Sequence, residues 1–129
     1  MDDAIRRALA QGQLIDITTT GRRTGEPRRI EIVYHNLDGR IYISGMPAPG
    51  RTRAWLRNLQ ADPRLTIHLR PPHAADLPAT ARVITDPAER RPALERIARI
   101  WRRTDVDVMV EHSPLIEVSV EGYSADLAA

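Results

Sequence analysis

Four arginines fall within fifteen residues in the stretch TTTGRRTGEPRRIEI, from Thr18 to Ile32. Gly21, Gly25 and Pro27 are enough to turn the chain there. Arg22, Arg23, Arg28 and Arg29 add planar guanidinium forks, which suit phosphate and carboxylate oxygens in bidentate geometry. A second cluster follows in GMPAPGRTRAW, where Arg51 and Arg53 stand at the expected start of a helix. Helix N-termini leave N–H groups unpaired and carry partial positive charge, so they too favour anions. The hairpin between the clusters should bring both to one end of a sheet. The chemistry implied is the holding of a polyanion.

Other chemistries are excluded or unsupported. The chain lacks cysteine, which rules out disulfides and thiolate sites and fits a reducing cytoplasm. All 19 basic residues apart from histidine are arginine, so no lysine Schiff base can form. The pI of about 9.6 overstates the basicity, because the formal charge is only +2. His35, His68, His73 and His112 are scattered, and no metal site is expected. No serine lies in a Gly-x-Ser-x-Gly context, and neither a dinucleotide fingerprint nor a phosphate-binding P-loop is present. The carboxylates Asp16 and Glu31 read as a solvated face. No apolar run approaches the roughly 20 residues of a membrane span, and the acidic N-terminus does not read as a secretory leader. The expectation is one cytoplasmic domain over residues 1–129. Nucleic acid is not an expected partner, since single-strand sites stack bases on aromatic rings and this chain has few.

These residues need elements to position them. Asp2 or Asp3 should cap a helix through Gln11, with Ile5 and Leu9 on one face and Gly12 beyond it. Alternation predicts strands at Leu14–Thr20, around Ile30–Tyr34, and at Ile41–Ile43, with Asp38-Gly39 as a tight hairpin turn. Thr52 should cap a helix that ends before Pro63. RLTIHLR reads as a strand, PPHAADLP as a loop and ATARVIT as a strand. Asp86-Pro87 opens a helix, with Glu89 at capping-box spacing and a stripe of Leu94, Ile97, Ala98 and Trp101. PLIEVSVEG closes as a strand. Strands outnumber helices without repeated βαβ units, which predicts a mainly-β or α+β domain: a small antiparallel barrel with helices packed outside.

The run ITTTGRRTGEPRR, the DGR-IYIS hairpin and AWLRNLQADPRLTIHL, taken in order, resemble the nitroreductase family of deazaflavin-dependent oxidoreductases. The resemblance spans about Ile17 to Leu69. It implies a split β-barrel of about six strands, like that of the FMN-binding pyridoxamine-phosphate oxidases. It also implies coenzyme F420, a deazaflavin with a phosphate and a polyglutamate tail. It assigns Arg22, Arg23, Thr24 and Arg28 to the phosphate and tail, and Ser44, Gly45 and Met46 to the strand end facing the ring. Ala54, Trp55 and Asn58 fall on the helix that closes the site. The sequence departs from the pattern at Met46-Pro47, where Ser-Lys is common, so Arg51 or Arg53 would have to replace the lysine. Val33 stands where a pocket tyrosine is found, and only Tyr123 lies late in the chain. The implied activity is hydride transfer from reduced F420 to a small organic acceptor such as a quinone, enone or nitro compound, with Tyr34 or His35 as candidate proton donors. The alternative is a non-catalytic barrel holding FMN, haem or a lipid. A homodimer is the oligomeric expectation.

Overall fold

The structure is a computed structural model and describes residues 1–124. The chain opens with helix α1 (Asp3–Leu9), and the Asp2 carboxylate accepts from the N–H groups of Ala4 and Ile5. Strands β1 (Leu14–Thr20), β2 (Pro27–Leu37) and β3 (Arg40–Ser44) follow. Asp38 and Gly39 both take positive φ, at 58° and 90°, which is the tight turn that Asp-Gly favours. Helix α2 (Ala54–Ala61) leads to β4 (Arg64–Leu69) and β5 (Ala75–Val83). Helices α3 (Pro87–Trp101) and α4 (Val106–His112) precede the last strand, β6 (Leu115–Val120).

The six strands close into an antiparallel barrel in the order β1-β2-β3-β6-β5-β4. Period-two alternation fixes its interior. Ile15 and Ile17 of β1 lie opposite Ile32 and Ile30 of β2, and Ile67, Ile43, Ile116 and Val118 complete the core from the other strands. Leu9 is fully buried in this core, so α1 is packed into it. Gly12 makes that approach possible, because a Cβ there would lie 2.9 Å from the Tyr34 carbonyl oxygen. Some of the residues that alternate outward on β2, β3 and β6 are also covered. Leu37, Tyr42 and Leu115 pack with Leu94, Ile97, Ala98 and Met109 in a second apolar cluster beneath α3 and α4.

Several sequence expectations are corrected. Thr52 does not cap α2; the helix begins one residue later, with Arg53 at the N-cap and no side-chain cap bond. Asp86 does cap α3, through the Ala88 N–H, but no capping box forms because the Glu89 carboxylate is taken up by Arg82. The expected loop PPHAADLP is shorter, since β5 begins at Ala75 and pairs Pro78 with Thr66. Helix α4 was not expected. It is held at its C-terminal end by buried Arg90, which donates to the carbonyls of Met109, Val110 and Ser113.

Candidate functional site

The turn between β1 and β2 is closed by its own backbone. The Gly21 N–H donates to Glu26 O at 2.8 Å, and the Gly25 N–H donates to Gly21 O at 2.8 Å. Gly25 has φ of 72°, a conformation that side-chain-bearing residues rarely adopt. The Thr24 hydroxyl accepts from the Glu26 N–H. This rigid turn leaves the side chains of Arg22 and Arg23 exposed.

Asn58 fastens α2 to that turn. Its side chain is buried, donating to Thr19 Oγ1 at 3.1 Å and accepting from the Arg22 N–H at 3.1 Å. Trp55, one turn earlier on α2, is 9% exposed and belongs to the barrel core cluster. Between the turn and this side of α2 lies a cavity of about 380 Å³. It is bordered by Arg22, Arg23, Thr24 and Arg28 on one side and by Ala54, Trp55 and Asn58 on the other. Seven of the predicted site residues therefore converge. Thr19, Gly21, Arg29 and Ile30 also line the cavity and were not expected to. Thr19 and Ile30 could have been found from strand register, since Thr19 lies opposite Arg28 and both share the face of Ile17 and Ile30.

Arg28 and Arg29 both reach the cavity but differ in pairing. Arg29 is committed to a carboxylate, its Nε donating to Asp16 Oδ2 at 3.0 Å. A further guanidinium, Arg70, bridges Asp16 and Glu31, and these hydrogen bonds, first Arg70 and then Arg29, hold the Asp16 carboxyl below its ordinary range. Among the described residues, Arg22, Arg23 and Arg28 have no carboxylate within ion-pair distance. The pocket thus carries uncompensated positive charge beside an indole and an isoleucine.

The other predicted residues lie elsewhere. Ser44 is buried, and its hydroxyl donates to Pro114 O at 2.6 Å. Gly45 lies under the Arg53 guanidinium, where a Cβ would meet Nη2 at 3.0 Å. Met46 is exposed; its carbonyl accepts from Arg53 and its Sδ from Arg103. Arg51 and Arg53 border a different cavity, so the joint anion site expected from both arginine clusters is split by α2. Tyr34 points into the core, donates to Ala8 O at 2.9 Å, and has its pKa pushed up to about 12, chiefly by burial. His35 points the other way, edge-on to Trp101 with ring centroids 5.3 Å apart, and burial lowers its pKa. Neither borders the arginine pocket. Val33, the position of the expected pocket tyrosine, is exposed opposite Leu14.

The closed barrel with helices outside is a split barrel of the pyridoxamine-phosphate-oxidase type, as the solved structures bear out. A candidate pyridoxamine 5'-phosphate oxidase from Listeria innocua superposes with a TM-score of 0.66 at 16% identity, covering 92% of each chain. A structure described as an F420 reductase gives 0.66 at 13% identity, over 93% of this chain and 95% of that one. An F420-H2-dependent reductase gives 0.62 at 18% identity, over 82% and 93%. These likenesses establish the fold. No curated protein sequence matches the chain significantly. The chain belongs to the F420H(2)-dependent quinone reductase family, whose model matches residues 2–122. It is accordingly an oxidoreductase that works with the reduced deazaflavin coenzyme F420 and a small-molecule acceptor. No helix among the described residues is long and apolar enough to cross a membrane.

Proposed function

We propose that the cavity between the 21–26 turn and α2 holds the anionic part of coenzyme F420, and that the protein passes a hydride from it to a quinone, enone or nitro compound. The observation that carries this reading is the unpaired charge of Arg22, Arg23 and Arg28. Arg29, Arg70 and Arg82 on the barrel's outer wall are each paired with carboxylates, whereas these three border a cavity with no acid of its own. A phosphate and a run of carboxylates supply the missing partners. The residues therefore fit the group.

When bound, the reduced deazaflavin supplies the hydride. The chain's own residues bind and orient it. Arg22, Arg23 and Arg28 hold anionic oxygens. Trp55, Ile30 and Ala54 give an apolar wall that excludes water. Asn58 and Thr19 fix the turn against α2, so the arginines are presented from a rigid base. Tyr34 is engaged with Ala8 O and His35 is sealed against Trp101, so the proton that completes acceptor reduction comes from solvent. One barrel domain over residues 1–129 and a cytoplasmic setting, in keeping with the lack of cysteine, belong to the same reading. So does a homodimer, which a similar structure described as a domain-swapped dimer supports.

The test is anaerobic turnover. Reduced F420 is mixed with the protein and a panel of quinones, enones and nitroarenes, and reoxidation is followed by absorbance. The expected result is protein-dependent oxidation with at least one acceptor, lost in an Arg22→Ser, Arg28→Ala double variant. Tight coenzyme binding without turnover across the panel would identify a carrier barrel instead. Preferential retention of FMN would overturn the cofactor assignment.

A further inference from the structure

The outward side of β1, β4 and β5 is polar, unlike the apolar cluster that draws on β2, β3 and β6. Ile17 and Ile67 turn into the core, so their strand neighbours Thr18 and His68 turn out. Strand register sets the outward residues in rows. Asp16, His68 and Asp76 lie opposite one another across β1, β4 and β5, and Thr18, Thr66 and Pro78 form the next row.

Two short hydrogen bonds link these rows. His68 Nδ1 lies 2.7 Å from Asp76 Oδ1, and His68 Nε2 lies 2.7 Å from Thr18 Oγ1. An ionised carboxylate can only accept, so the proton of the neutral imidazole sits on Nδ1. Nε2 is then the acceptor, and the Thr18 hydroxyl donates to it. Carboxylate, imidazole and hydroxyl thus stand in the order and tautomer that activate a hydroxyl nucleophile. The His68 side chain is only 13% exposed, so its ring is held by its surroundings. Asp16, directly opposite His68 on β1, is taken up by Arg29 and Arg70, which leaves Asp76 as the carboxylate that orients the ring.

The hydroxyl end of this array borders a space for a substrate. An open groove of about 860 Å³ is lined by Thr18, Thr20, Thr66, Pro78, Thr80 and Ser119. Thr66 lies directly opposite Thr18, and such pairs have Cβ atoms about 5 Å apart. A second hydroxyl is therefore at hand for the oxyanion that forms when Thr18 attacks a carbonyl. Arg64 also borders the groove, but its guanidinium is bound by both oxygens of Asp62, so the groove suits an uncharged substrate. His68 lies outside the groove lining and cannot protonate a leaving group there. The leaving group must then depart as an anion, which selects esters of acidic alcohols such as phenols.

We propose that Thr18, His68 and Asp76 form an acyl-transfer site that hydrolyses small uncharged esters of phenols. Thr18 Oγ1 attacks the carbonyl carbon while its proton passes to His68 Nε2. The carbon–oxygen bond to the phenol breaks, the phenolate leaves, and His68 returns its proton to solvent. Water then cleaves the acyl-threonine, which releases the carboxylate and a proton and restores the hydroxyl. Asp76 is a positioning residue that fixes the imidazole tautomer. The site is separate from the arginine pocket, which none of the three residues borders, and its reaction uses no coenzyme.

The test is hydrolysis of p-nitrophenyl acetate by the full chain without F420, followed by nitrophenolate absorbance. The chain has neither lysine nor cysteine, so the commonest off-site acyl acceptors are missing. Wild type should be faster than buffer, and Thr18→Val and His68→Gln should each be at least about tenfold slower than wild type. Thr18→Ser, which keeps the hydroxyl, should retain most of the rate. The rate should rise with pH as His68 loses its proton. Asp76→Asn should slow the reaction and move that rise toward acid, because the imidazolium loses a neighbouring negative charge. Melting curves establish that each variant is folded, and Thr18→Val is close to isosteric. The proposal is overturned if wild type is no faster than buffer, or if Thr18→Val or His68→Gln keeps the wild-type rate. A folded Thr18→Ser as slow as Thr18→Val would overturn it too. An Asp76→Asn protein with an unchanged rate and pH profile would remove Asp76 from the array.

Discussion

The arginines of the outer wall and those of the pocket do different work with the same side chain. On the wall, Arg29 meets Asp16, Arg70 bridges Asp16 and Glu31, and Arg82 bridges Glu89 and Glu117. These pairs are solvated, and such pairs contribute little stability. In the pocket, Arg22, Arg23 and Arg28 stand beside buried Trp55 and Asn58 with no acid opposite. Charge that is already compensated cannot attract a polyanion, and charge that is not compensated can. A neighbour in sequence therefore says little about role. Arg28 and Arg29 are adjacent and both border the cavity, yet one has no carboxylate partner and the other is tied to Asp16.

The largest break in this contrast should come from the pocket wall. Trp55→Ala removes a core side chain and should destabilise the fold by about 3–5 kcal/mol, read as a lower melting temperature and denaturant midpoint. A Trp55→Ala protein that melts like wild type would show that the indole does not hold α2 to the barrel. Next comes Arg28→Ala, which should weaken F420 binding by about 1.5–3 kcal/mol while leaving the melting curve close to wild type. Asn58→Ala should cost about 1–3 kcal/mol of stability, because Thr19 Oγ1 and the Arg22 N–H lose their buried partner. Arg29→Ala should change stability and coenzyme affinity by no more than about 0.5 kcal/mol. If Arg29 is the costly residue and Arg28 is not, the compensated and uncompensated roles are reversed.

The smallest effect is a pH dependence away from both regions. Burial lowers the His35 pKa below the ordinary imidazole value of about 6.5. The unfolded chain then binds a proton that the folded chain does not, so stability is complete above the unfolded pKa and falls as pH drops below it. The melting temperature should decline from pH 7 toward pH 5, and the decline should be shallower in His35→Gln. Equal slopes in the two proteins would remove His35 as a cause.

Much of the barrel was legible because its strands alternate cleanly. Ile15 and Ile17, Ile41 and Ile43, and Ile116 and Val118 all turn inward as period two requires. Helix α4 was not legible. VDVMV alternates like a strand and is rich in β-branched residues, and the carbonyls at the end of the helix it forms are met by Arg90 from about twenty positions away, a contact no local pattern announces. The early start of β5 was hidden by Pro78, whose ring suggests a loop but whose carbonyl still accepts from the Glu121 N–H. The arginine turn announced the pocket through residue type. The separation of Arg51 and Arg53 from it could not be read, because it depends on which side of α2 seats on the barrel. That is decided by Trp55 and Asn58 together, through burial and the hydrogen bonds to Thr19 and Arg22.

The central claim is that uncompensated arginine charge selects a polyanionic deazaflavin. It is tested most directly by calorimetric titration of the wild-type chain with polyglutamylated F420 and with FMN, each at low and at raised salt. The account predicts tighter binding of F420 at low salt, with the gap narrowing as screening increases. Binding of FMN as tight as or tighter than that of F420 at low salt would contradict it.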